Sequence, residues 1–117
     1  MNQQILDQYR IKFNKLKDGF IYPDAGDIHL KCVLSEYNDE ETIGLILQDI
    51  QYALDDQFSL IQDPDWGVTV GRVYYGFRLL PDKHVFVWTE GYSEQGVKYP
   101  LIDIKEIFKC WLEFLRR

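Results

Sequence analysis

At 117 residues, with 46% hydrophobic and 15% aromatic side chains and a net charge of −6, the chain has the size of one domain and too much apolar content for disorder. Its longest apolar run, around residues 43–47, is broken by Gly44 and followed by Gln48 and Asp49, far short of the roughly 20 residues that span a bilayer, so a membrane helix is excluded. The start, Met1-Asn2-Gln3-Gln4-Ile5, lacks the basic and apolar stretches of a secretory signal, and cytoplasmic residence is the expectation.

The opening segment reads two ways. Ile5, Tyr9, Phe13 and Leu16 fit a helix, Tyr9, Ile11 and Phe13 fit a strand, and the helix is preferred. Over residues 28–34, Ile28, Leu30, Cys32 and Leu34 alternate with His29, Lys31 and Val33, which predicts a half-buried strand. Asn38-Asp39-Glu40-Glu41 follows, a capping-box pattern with Asn38 as cap and Glu41 reaching back. It opens a helix to about Asp56 whose apolar face carries Ile43, Ile46, Leu47, Ile50, Ala53 and Leu54.

Asp63-Pro64-Asp65-Trp66-Gly67 has turn chemistry. Residues 68–80, 84–90 and 97–102 then read as three strands, linked by Pro81-Asp82-Lys83 and by Gly91-Tyr92-Ser93-Glu94-Gln95-Gly96. The alternation slips near Gly71, which predicts a bulge or bend. Asp103 with Glu106 repeats the capping logic and opens a last helix, in which Ile104, Ile107, Phe108, Trp111, Leu112, Phe114 and Leu115 form one arc. That arc packs on the sheet, with Trp111 in the core. The expected architecture is one α+β domain over residues 1–117, an antiparallel β-meander with helices packed on it.

Charge is uneven along the chain. Residues 1–23 hold four basic and two acidic groups and residues 66–117 eight basic and six acidic, whereas residues 24–65 hold eleven carboxylates against the single cation Lys31. Such a block repels a phosphate backbone, so direct nucleic-acid binding is not expected. It does favour encounter with a basic protein; a solvated, solubilising face is the plainer reading.

Signatures of chemistry are weak. His29 and His84 stand alone without ligand spacing, and no Gly-x-Ser-x-Gly, Gly-x-Gly-x-x-Gly or phosphate-binding Gly-Lys-Ser/Thr loop occurs. Acid pairs such as Asp63/Asp65 are expected by chance among 19 acidic residues. Cys32 and Cys110 have no metal-like spacing and read better as buried thiols than as a disulfide. No catalytic residue, metal or cofactor is expected.

Placed at about 100° per residue, the middle helix carries Glu41, Leu45, Gln48, Asp49, Tyr52, Asp55 and Asp56 opposite its apolar face. An outward aromatic and an outward Leu ringed by carboxylates have the anatomy of a binding hot spot; the alternative is a face covered by a second layer. Trp66, in a turn with Asp63 and Asp65, is the second candidate anchor, or else a plug at one end of the core. Tyr92 is a weaker third.

In overall character the chain resembles the immunity proteins of bacterial contact-dependent inhibition and polymorphic toxin systems. The resemblance lies in the acidic segment 36–65, in Val68-Thr69-Val70-Gly71-Arg72 and Val87-Trp88-Thr89-Glu90-Gly91, and in the closing helix. It implies that the chain binds a cognate toxin, often a basic nuclease, inside the producing cell and blocks its active site; a monomer is expected. The partner-binding set is then Glu41, Leu45, Asp49, Tyr52, Asp55, Asp56, Asp63, Asp65 and Trp66. Two rivals remain: an acidic DNA mimic, and a small hydrolase or ligand-binding domain with its site near His84, Arg72 and Arg78.

Overall fold

The computed structural model describes residues 1–70, 73–89 and 96–117. Its centre is a four-stranded antiparallel sheet in the order β3 (Val68–Val70), β4 (Val73–Leu79), β5 (His84–Trp88) and β6 (Val97–Pro100). Period-two alternation puts Phe77, Leu79, Val85, Val87 and Tyr99 on the buried side. Helices α2 (Ile28–Glu36) and α4 (Leu101–Leu115) cover that side, and α3 (Glu40–Leu54) packs along α4. The α+β meander read from the strand pattern is therefore the observed fold, except that the segment 68–80 forms two paired strands, Val70 opposite Val73. Gly71, where a bulge was expected, lies outside the described residues, as does Arg72.

The opening segment uses both of its readings in succession. Asn2 caps the short helix α1 (Gln3–Gln8), which buries Ile5 and Leu6. Arg10, at φ 54°, turns the chain into the hairpin β1 (Lys12–Lys15) and β2 (Ile21–Asp24). Phe13 then reaches Trp111 and Phe114, with ring centroids 4.8 and 5.3 Å apart.

Residues 28–34 are a helix, not the strand that their alternation predicts. Leu30, Val33, Leu34 and Tyr37 are buried at helical spacing while Ile28 stays 58% exposed, and Asp27 caps the first turn by accepting from the His29 N–H at 2.8 Å. Two caps also differ from expectation. Asp39, not Asn38, accepts from the Thr42 N–H at 2.9 Å, a bond that holds its carboxyl below the usual carboxylate range. The last helix begins at Leu101, after Pro100, so Asp103 lies inside its first turn and accepts instead from the Tyr9 hydroxyl at 2.5 Å.

The same device recurs. Tyr75 donates to Glu36 at 2.8 Å and Tyr99 donates to Asp27, so phenols tie strands to α2 as Tyr9 ties the chain's start to α4. Burial, and then the neighbouring Glu36, pushes Tyr75 up to about 12, so this link keeps its proton across the neutral range. Trp111 is fully buried, its indole N–H donating to the Tyr37 carbonyl at 2.9 Å. Cys110 is buried on α4, and that burial pushes its thiol up. Cys32 is only half-buried, where a buried thiol was expected.

Candidate functional site

The strongly amphipathic α3 buries Ile43, Ile46, Ile50 and Ala53, and this fixes the direction of its opposite face. After Leu54 the chain turns: Asp55 ends the helix and Asp56 takes the left-handed conformation at φ 59°. A short 3-10 turn over Phe58–Leu60 then packs back on α3. Buried Ile61 anchors the segment that follows, so residues 60–66 run beside the outward face of α3.

Local side-chain bonds shape that segment. Asp63 accepts from the Asp65 N–H and Asp65 from the Gly67 N–H, each at 2.9 Å, the Asx-type turns expected of such a sequence. Main-chain bonds from Trp66 N–H to the Phe77 carbonyl (2.8 Å) and from Leu79 N–H to the Pro64 carbonyl (2.9 Å) tie it to β4. The Trp66 ring stacks on Phe77 at 6.0 Å and meets Tyr37 edge-on at 5.9 Å. Trp66 is thus half-buried, with one side in the core and the other on an open cleft.

That cleft, of about 500 Å³, is lined by Leu45, Gln48, Asp49 and Tyr52 of α3 and by Leu60, Gln62, Asp63, Asp65 and Trp66. Its volume falls in the range of roughly 300–1,000 Å³ typical of binding pockets. Of the residues singled out in the sequence, Leu45, Asp49, Tyr52, Asp63, Asp65 and Trp66 meet here. Glu41, Asp55 and Asp56 do not line it. Glu41 sits in the first turn of α3, where a carboxylate complements the helix dipole. Asp55 accepts from Gln51 at 3.0 Å and Asp56 pairs with Lys83 at 3.3 Å, both at the helix's far end. Leu60 and Gln62 are lining residues that sequence reasoning missed; their segment has no periodic pattern to place it. Tyr92 lies outside the described residues.

The carboxylates of residues 24–65 serve different ends. Asp27 and Asp39 cap helices, Glu36 accepts from Tyr75, Asp24 pairs with Lys31 and Glu40 with Arg116. Asp65, which lines the cleft, also accepts from Arg78 at 3.0 Å. Asp49 is half-buried, and burial raises its pKa; the Trp66 indole N–H beside it works in the opposite direction. That N–H is itself buried and, among the described residues, closes no direct hydrogen bond of normal geometry.

A raised carboxylate pKa favours the protonated form on folding. Its contribution to stability is complete below the ordinary Asp range and is lost as pH rises through the folded-state value. Asp49→Asn should therefore raise the thermal midpoint at pH 7 relative to wild type, with the difference closing toward pH 3 in circular-dichroism melts. An equal difference at both pH values contradicts a burial penalty on the Asp49 charge.

Of the groups in the rival site, His84 has its Nδ1 3.1 Å from the Asp82 carbonyl, and Asp82 also binds Lys98 at 2.7 Å. Arg78 reaches Asp65, and neither His84 nor Arg78 lines the cleft. Among the described residues no three His, Cys, Asp or Glu are gathered to hold a metal ion, and no helix is long and apolar enough to cross a membrane. Comparison of the chain with protein-family models, with curated protein sequences and with solved structures gave no match.

Proposed function

We propose that this chain works by binding, as an immunity protein that neutralises a cognate basic toxin, of nuclease type, in the cytoplasm of the producing cell. One observation carries the reading: Asp49, Tyr52, Asp63, Asp65 and Trp66 come together from two segments around an open cleft. Aromatic rings held by the core supply area that is buried on docking without much loss of side-chain freedom, and carboxylates at the same place orient a basic surface. The net charge of −6 adds attraction at a distance, which raises association rates with cationic partners. Docked carboxylates would stand where a nuclease expects substrate phosphates. The chain acts as a monomer in this scheme and needs no cofactor.

The test is affinity capture from the source cells with wild type and with Tyr52→Ala and Trp66→Ala, read by mass spectrometry. The expected result is one basic protein enriched by wild type, toxic when expressed alone and harmless when co-expressed with this chain. Each alanine variant should weaken binding of the purified pair by about 2 kcal/mol, roughly 30-fold, the scale of aromatic hot spots. A partner whose affinity ignores both substitutions removes the cleft from the account.

A further inference from the structure

We infer that the cleft is shaped to receive one arginine side chain of a protein partner. This rests on the binding reading above and names the group that is recognised.

The polar lining is rich in acceptors. Asp63 uses Oδ1 on the Asp65 N–H, which leaves Oδ2. Gln48 spends its Nε2 on the Tyr52 hydroxyl at 3.3 Å, which leaves Oε1. Asp49 has the indole N–H of Trp66 beside it, and burial penalises its charge, a penalty that an incoming cation would relieve. Among the described residues no Lys or Arg lines the cleft. A ligand group with several N–H donors and a positive charge answers this set; an anion or a carbonyl-rich group does not.

The apolar lining then selects among cations. Leu45 and Leu60 are 51% and 55% exposed at the cleft, and the Tyr52 and Trp66 rings complete its walls. An aliphatic stem can lie along the leucines while a flat guanidinium stacks on a ring, which an ammonium does less well. The molecule already contains this arrangement once. Arg78 gives its Nη2 to Asp65 at 3.0 Å while its guanidinium carbon lies 5.7 Å from the centre of the Trp88 ring. Three of its lysines are held differently: Lys98, Lys83 and Lys31 rest on Asp82, Asp56 and Asp24.

The partner can be replaced by a minimal probe. N-acetyl-arginine amide should shift the Trp66 indole and the Gln48 and Gln62 side-chain amide signals in a saturable ¹⁵N–¹H titration. N-acetyl-lysine amide should bind at least fivefold more weakly, and the neutral isostere N-acetyl-citrulline amide should leave these signals in place. Asp49→Asn with Asp63→Asn should weaken the arginine probe at least tenfold while the circular-dichroism spectrum stays that of the wild type. Equal shifts with arginine and citrulline, equal affinity for lysine, or shifts confined to another face each overturn the inference. Low-micromolar binding of the isolated probe also overturns it, because it marks a small-molecule site in place of one side chain of a protein partner. If the arginine probe fails yet the captured partner is lost with the double variant, the arginine inference falls and the binding reading stands. If the probe binds but the partner ignores the double variant, the cation site stands and the partner reading falls.

Discussion

Trp111→Ala will leave the chain largely unfolded or close to it. The ring is fully buried, 4.8 Å from Phe13 and 6.2 Å from Phe114, so truncation opens a large cavity where the β1–β2 hairpin meets α4. Such changes cost about 3–5 kcal/mol. The Tyr37 carbonyl, which accepts from this indole at 2.9 Å, is left without that bond at a further cost of about 1 kcal/mol. Against the roughly 5–15 kcal/mol of a whole domain, the sum is decisive. Trp111→Phe separates the two contributions, since it keeps much of the ring and loses the N–H. Urea denaturation followed by circular dichroism should place the phenylalanine variant well above the alanine variant. Near-equal midpoints would mean that the cavity is not the main cost.

Gly76→Ala should damage the cleft through the backbone. Gly76 sits in β4 at φ +154°, and a Cβ there would lie 2.5 Å from the Trp66 carbonyl oxygen and 2.6 Å from the Gly67 Cα. The clash is with main chain, so no side-chain rotation relieves it. Residues 66 and 67 must lift away from β4, loosening the bond to the Phe77 carbonyl and the one that the Tyr37 hydroxyl donates to Trp66. Strain and overpacking together suggest about 2–4 kcal/mol of lost stability. The functional loss should be larger than stability alone explains: at temperatures where the variant remains folded, partner affinity should still fall at least tenfold. Full affinity in a folded Gly76→Ala protein would show that the placement of Trp66 does not matter.

The sequence was most legible where a long stretch repeats one period. The α3 and α4 stripes set both their buried faces and the outward placement of Leu45, Asp49 and Tyr52. It was least legible over residues 28–34, where Leu30 and Leu34 satisfy period two and helical spacing alike, and exposed Ile28 weakens the helical stripe. There Asp27 and contacts with the sheet decide the outcome. Asn38 and Asp39 are adjacent residues with the same capping chemistry, and only the backbone geometry separates them.

Counting carboxylates located an acidic region but not its use. Whether an Asp meets a tyrosine hydroxyl, a helix N–H or open solvent depends on long-range packing, as Asp27 and Glu36 illustrate. Asp63, Asp65 and Trp66 entered the candidate set through their shared turn. Leu60 and Gln62 were missed because they reach the cleft only when Phe58–Leu60 folds back on α3.

The unequal settings of the three indoles give the protein a built-in optical gauge. Trp88 and Trp111 are sealed at 0% exposure, while Trp66 alone borders the cleft. A dissolved collisional quencher therefore meets chiefly one emitter, and the accessible fraction of the fluorescence belongs to the residue at the docking surface. Occupancy of that surface can be followed in unlabelled protein as a loss of quenching.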